Sequence, residues 1–244
     1  MNLSDCICDG SEAHMERVRY FSRQLLDAHD LTDDQAYHRA KRSLHNRLLH
    51  GWGIVCGLEV KKNPASGVPL NVAICPGYAL SPQGEEIYVP MDVQFDLGRC
   101  IVGQTAPCHS PCAPVIPGAV DPTNDFYIAI RYIECPSRPV RVSPIGCGCD
   151  DTACEYSRIR DGFEVTCLGS LPDSHLEASK ISDVLCSAVN ETKVVACPPS
   201  PKSPWIVLAQ VHINGAVLDT PSPDCRRVLL STAVIQEHLR AQCG

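Results

Sequence analysis

The residues best suited to chemistry in this sequence are cysteines. Cys147, Cys149 and Cys154 stand in the stretch GCGCDDTACEY, with Cys135 upstream and Cys167 downstream. Glycines beside the first two let the backbone fold closely around a shared centre. Three thiolates, with a fourth from a neighbouring strand, would meet the tetrahedral demand of a structural zinc ion. An iron–sulfur cluster would take the same ligands. The spacing is not that of paired CxxC motifs, and one or two disulfides stapling the loop, or free buried thiols, account for the same residues. Cys108-His109-Ser110-Pro111-Cys112 is a second knot, with two sulfurs and one imidazole. It lacks the CxxCH spacing of haem attachment, and a loop disulfide or two free thiols is the preferred reading.

Other chemistry is sparse. His38, Arg42 and His45 share one helical face by their spacing of four and three. No HExxH pattern supports zinc hydrolysis, so solvated or core-capping histidines are preferred. Tyr37, His38, Lys41, Arg42 and His45 form a mixed edge with an aromatic and an arginine among polar neighbours, suited to an interface anchor. A plainly solvated edge is the alternative. There is no GxSxG elbow, no Walker loop and no GxGxxG after a strand. The expectation is therefore no catalytic residue and no enzyme. A hydrolase with an unrecognised site is the weakest of the readings.

The elements that must position these groups read as α+β. Met15, Val18, Phe21 and Leu25 recur at helical spacing over Ser11 to His29, and Asp30-Leu31 breaks the pattern. Thr32 with Gln35 reads as a capping box opening a second helix, whose stripe is Ala36, Ala40, Leu44 and Leu48 and whose stop is Gly51. Residues 1–51 are thus expected to be a helical hairpin packed through Val18, Leu25, Leu44 and Leu48.

A first β-rich segment follows over 52–99, with runs at Gly53 to Lys61, Leu70 to Cys75, Tyr78 to Leu80, Glu86 to Val89 and Val93 to Phe95. Pairing Lys61 with Leu70 would set Cys56 opposite Cys75. Residues 100–124 form a Pro/Cys-rich loop. A second β-rich segment over 125–244 has strands at Asp125 to Glu134, Phe163 to Leu168 and Trp205 to Ile213. Pro139 to Val142 is a partner for the first of these. Asn214-Gly215 signals a hairpin into Ala216 to Leu218. Short helices are expected at Ile181 to Val189 and at Ser231 to Gln242. The body is expected to be a mainly antiparallel sandwich or barrel.

Bulk composition narrows the partners. The 244 residues carry a net charge of −7, which argues against a phosphate-backbone binder. No run approaches the length of a membrane span, and MNLSDCICDG has neither the basic nor the apolar region of a secretory signal. The cytoplasm is the expected compartment, with release inside a particle on lysis as a further option. Sixteen cysteines fit either metal ligation or later oxidation.

Three stretches, DQAYHRAKRSLHNRLLHGWGIVCGLEV, VAICPGYALSPQGEEIYVP and WIVLAQVHINGAVLDTPSPDCRRVLL, together resemble proteins of phage-tail-like extracellular contractile injection systems. In that group a helical start leads into an HGxGxxxGLxV strand, a PGxA turn and a GxEI strand, here His50 to Val60, Pro76 to Ala79 and Gly84 to Ile87. The resemblance implies an accessory, baseplate-like or fibre-attachment component. Its partners would be other proteins of a large particle, with a homo-oligomer as one option. The rival reading is a cytoplasmic zinc- or iron–sulfur-binding protein centred on Cys147 to Cys154.

Overall fold

The computed structural model describes residues 15–63, 70–98, 125–141, 154–178, 197, 201–214 and 217–230. Residues 15–27 form no helix, and one helix follows, α1 (Ala28–His45). This corrects the expected hairpin. The Asp27 side chain accepts from the backbone N–H groups of His29 (2.8 Å) and Asp30 (3.0 Å), and the Asp30 carboxylate accepts from the Asp27 N–H (3.1 Å). That reciprocal capping box starts the helix five residues before Thr32 and turns the expected break at Asp30 into part of the cap. Thr32 is mid-helix, its hydroxyl donating back to the Ala28 carbonyl at 2.7 Å.

The helix widens into a single π turn, Asn46–His50, and stops at Gly51, whose φ of 79° suits a residue without Cβ. The expected buried stripe is open. Ala36, Ala40 and Leu48 are exposed, Leu44 and Val18 are half-buried, and Leu25 is 92% exposed.

Among the described residues ten strands make the body: β1 (Gly53–Gly57), β2 (Val60–Lys62), β3 (Asn71–Ile74), β4 (Gly77–Leu80), β5 (Glu86–Val89), β6 (Val93–Asp96), β7 (Asp125–Arg141), β8 (Cys154–Leu168), β9 (Ile206–Asn214) and β10 (Val217–Leu218). A short helix, α2 (Asp173–Ala178), lies between β8 and β9. The strands form antiparallel sheets in the orders β1-β4-β5, β2-β3-β6 and β10-β9-β7-β8.

The run from Gly53 to Lys61 is two strands because Gly57 (φ 63°) and Leu58 (φ 54°) are both left-handed and swing the chain from one sheet to another. A Cβ at Gly57 would lie 2.0 Å from the Pro76 carbonyl oxygen. The expected register is corrected too. Lys61 pairs with Ala73, and Cys56, on the other sheet, faces Tyr78. Pro139 and Val140 belong to β7 itself and do not form a separate partner strand.

One apolar cluster joins all three sheets, with Ile54, Leu58, Ile74, Ile87, Leu97, Ile128, Ile130, Ile206 and Leu208 among its fully buried members. Strand β5 alternates, with Ile87 and Val89 inside and Tyr88 outside. Strand β9 is buried almost continuously because both its faces are covered. The expected strand after Asn214-Gly215 is present, Val217 pairing with Asn214 and Leu218 with Ile213, with Asn214 closing β9 itself and residues 215–216 outside the described ones. The helices expected at Ile181 to Val189 and Ser231 to Gln242, and the loop 100–124, lie outside the described residues.

Candidate docking site on the first helix

Tyr37, His38, Lys41, Arg42 and His45 all lie on α1, so the structure does bring the expected edge onto one element. Tyr37 is half-buried and the other four are exposed. The Tyr37 ring meets His38 edge-on at 5.3 Å between centroids, and His45 meets His50 at the same distance. His38 Nε2 lies 3.8 Å from Asp34 Oδ1, one turn earlier. Arg42 alone of the five reaches the body, with Nε 3.8 Å from Glu86 Oε1.

How α1 sits on the body decides what that edge can do. No residue of the helix is buried. Its attachment is polar: Arg39 pairs with Glu134 on β7, Arg42 with Glu86 on β5, and Asn46 donates to the Gly84 carbonyl at 2.9 Å. Between helix and body is a cleft of about 350 Å³, lined on the helix side by Ala36, Arg39, Ala40, Arg42 and Ser43 and on the body side by Glu85, Glu86, Tyr132 and Asp161. The Tyr132 hydroxyl lies 2.6 Å from Asp161 Oδ1 and 3.2 Å from Glu134 Oε1. Burial, then hydrogen bonding and charge at Asp161, hold its pKa well above the usual phenol value, so it stays a donor.

The segment leading into α1, and the first turn of the helix, are also exposed among the described residues. Tyr20 (50%), Phe21 (65%), Leu25 (92%), Leu26 (44%) and Leu31 (52%) are exposed. Single exposed apolar residues are ordinary, but five large ones exposed within twelve positions is a concentration that water does not favour.

The five candidate metal ligands do not assemble among the described residues. Cys147 and Cys149 lie outside them, as does the Cys154 side chain. Cys154 begins β8, and Cys135 faces Arg160 on the same ladder, about 20 Å further along. Cys167 faces Ile128, about 40 Å along the strand from Cys154. Cys135 is a half-buried free thiol, whereas Cys167 is buried and disulfide-bonded, which leaves no thiolate there for a metal. Among the described residues no group of three or more His, Cys, Asp or Glu is placed to hold a metal ion, and no helix is long and apolar enough to cross a membrane.

One cluster went unread in the sequence. His175, on α2, accepts a hydrogen bond from the Val207 N–H at Nε2 (3.2 Å) and packs edge-on against Trp52 at 5.0 Å. The Arg227 guanidinium stacks over the same indole at 4.4 Å, and its Nε donates to the Trp52 carbonyl at 2.8 Å. Burial first, and then the Arg227 charge, push the His175 pKa down to about 4. The signal available was the pairing of Trp52 with a cationic Arg226-Arg227, which has no sequence spacing to reveal it. The cluster is a structural knot: it ties α2, β9, Trp52 just before β1 and the segment after Cys225 together.

No family model matches the chain, and no curated protein does. Solved structures similar to it include a crystal structure of TssK, at 12% identity and a TM-score of 0.35, covering 85% of this chain and 41% of that one. The TssK-TssF-TssG baseplate subcomplex of the type VI secretion system gives 12% identity and a TM-score of 0.41, over 94% of this chain and 70% of the other. A baseplate complex from the type VI secretion system gives 10% and 0.39, over 93% and 65%. The chain spans less than half the length of the TssK chain it matches.

Proposed function

We propose that this chain is a non-catalytic structural or binding component of a contractile, phage-tail-like injection particle, and that it docks through α1 and the segment before it. The observation that carries the reading is that α1 buries no residue while residues 20–31 leave five large apolar side chains in water. Each Leu or Phe fully covered by a partner would contribute about 1.5–3 kcal/mol. The Tyr37 to His45 edge next to it supplies aromatic and cationic groups for the rim of such an interface. The kind of particle is suggested by the resemblance of His50 to Val60, Pro76 to Ala79 and Gly84 to Ile87 to injection-system proteins.

The test is to tag the chain in its native host, lyse gently and sediment. The chain should pellet with sheath and tube proteins, and Leu25→Glu with Leu31→Glu should move it to the soluble fraction with its fold intact by circular dichroism. A wild-type chain found wholly in the small soluble fraction, while the particles pellet, sinks the proposal. Loss of binding in Tyr37→Ala/Arg42→Ala but not in the leucine variants would shift the interface to the polar edge.

A further inference from the structure

The way α1 meets the body differs sharply between its two ends. At the C-terminal end the contact is close. The buried Asn46 side chain donates to the Gly84 carbonyl at 2.9 Å. The Ser43 carbonyl oxygen presses so near Gly84 that a Cβ there would lie 2.1 Å from it. Immediately beyond come the π turn and the left-handed Gly51, the two features at which a helix most readily bends or stops. Strand β1 then fixes the chain, with the Ile54 N–H bonded to the Arg227 carbonyl at 2.8 Å.

Toward its N-terminus the same helix is held, among the described residues, by two ion pairs, Arg42 with Glu86 and Arg39 with Glu134. Their arginine side chains are 61% and 53% exposed. Pairs of this kind contribute little and weaken with salt. Below them the cleft of about 350 Å³ takes the place of packed side chains. Its floor is Tyr132 among Glu85, Glu86 and Asp161, with Glu134 bonded to the Tyr132 hydroxyl, and the helix arginines are the cations that offset these four carboxylates. The capping box that stabilises α1 uses only Asp27 and Asp30, so the helix does not need the body to keep its shape at that end.

We propose that α1 is a hinged strap, which pivots at Asn46–Gly51 and swings off the body to uncover Tyr132 and its surrounding carboxylates. This rests on the docking reading above: a partner that grips α1 selects the released position, and the closed position is the resting state of the free chain. The closed strap shields the acidic floor, and release offers it to a basic group of the same partner.

The experiment uses the full chain without any partner. Spin labels are attached through azide-bearing residues at Gln35 on α1 and Tyr88 on β5, both exposed, because the native cysteines preclude thiol labelling. Double electron–electron resonance should show a short distance and a longer, minor one. Raising NaCl from about 0.05 M to about 1 M should increase the longer population several-fold. Arg39→Glu, which sets a carboxylate against Glu134, should increase it by roughly tenfold. Arg39→Glu combined with Glu134→Arg should restore the short distance, which mere loss of helix packing would not. A single distance unmoved by salt and by Arg39→Glu overturns the strap, as does a failure of the charge swap to restore closure. A fixed α1 that still pellets with particles would leave the docking reading standing, whereas a moving strap on a chain that never pellets would refute docking alone.

Discussion

Acidification should weaken the fold through His175, by an amount the structure sets. Its Nε2 is the acceptor for the Val207 N–H, so a proton there removes that hydrogen bond and places a second cation beside Arg227 over the Trp52 ring. Burial first, then Arg227, bring the folded pKa to about 4 from 6.5. Between those values the unfolded chain binds more protons than the folded one. The contribution is therefore fully present above about pH 6.5 and is lost as pH falls toward 4. At about 1.4 kcal/mol per pKa unit the whole difference would be about 3.4 kcal/mol. The group is only half-buried, and solvent screening cuts the figure to about 2 kcal/mol.

Urea unfolding followed by tryptophan fluorescence, from pH 7.5 down to 4.5, measures the effect. His175→Gln keeps a side-chain oxygen to accept from Val207 and cannot titrate. Carboxylates contribute equally to both proteins, so the wild-type minus His175→Gln difference isolates this group. It should fall by about 2 kcal/mol across the window. Parallel curves, with no change in that difference, would refute the argument that His175 is held neutral.

Gly84→Ala should loosen the pivot, because its Cβ would meet the Ser43 carbonyl oxygen at 2.1 Å and the residue has φ 94°; a loss of about 2 kcal/mol or more in urea unfolding, with faster amide exchange in α1, is expected. Leu208→Ala removes a side chain of zero exposure from the shared core and should cost about 2–5 kcal/mol by the same assay. Asp27→Ala deletes the acceptor for two backbone N–H groups, and hydrogen exchange should show the first turn of α1 frayed while β9 remains protected.

The β-body was largely legible because its signals are local. Glu86 to Val89 alternates within four residues and is β5, and the apolar run ending at Ile213 is β9 with its hairpin partner after it. Errors arose where a residue's meaning depends on distant structure. The first strand was expected over Asp125 to Glu134 with Pro139 to Val142 as its partner, yet β7 runs on through Pro136 and Pro139. Beyond Ile130 it has left its β9 neighbour, and that side of the strand no longer requires a backbone donor. Cys56 was set opposite Cys75 by counting across one hairpin, but two left-handed residues at Gly57 and Leu58 put Cys56 and β2 in different sheets.

The helical start shows a different kind of dependence. Spacings of three and four among Phe21, Leu25, Leu44 and Leu48 were read as two helices covering each other. The capping box at Asp27 and Asp30 instead leaves the first pair on non-helical chain and the second on or just beyond α1. Periodicity reports that a surface is apolar, and the burial of that surface is a property of whatever meets it. In this chain nothing within the described residues covers Phe21, Leu25, Leu26 or Leu31. The pattern that signalled an internal core therefore retains its physical force only if something beyond the described residues completes it, and the sedimentation of Leu25→Glu/Leu31→Glu tests whether that is a partner in the particle.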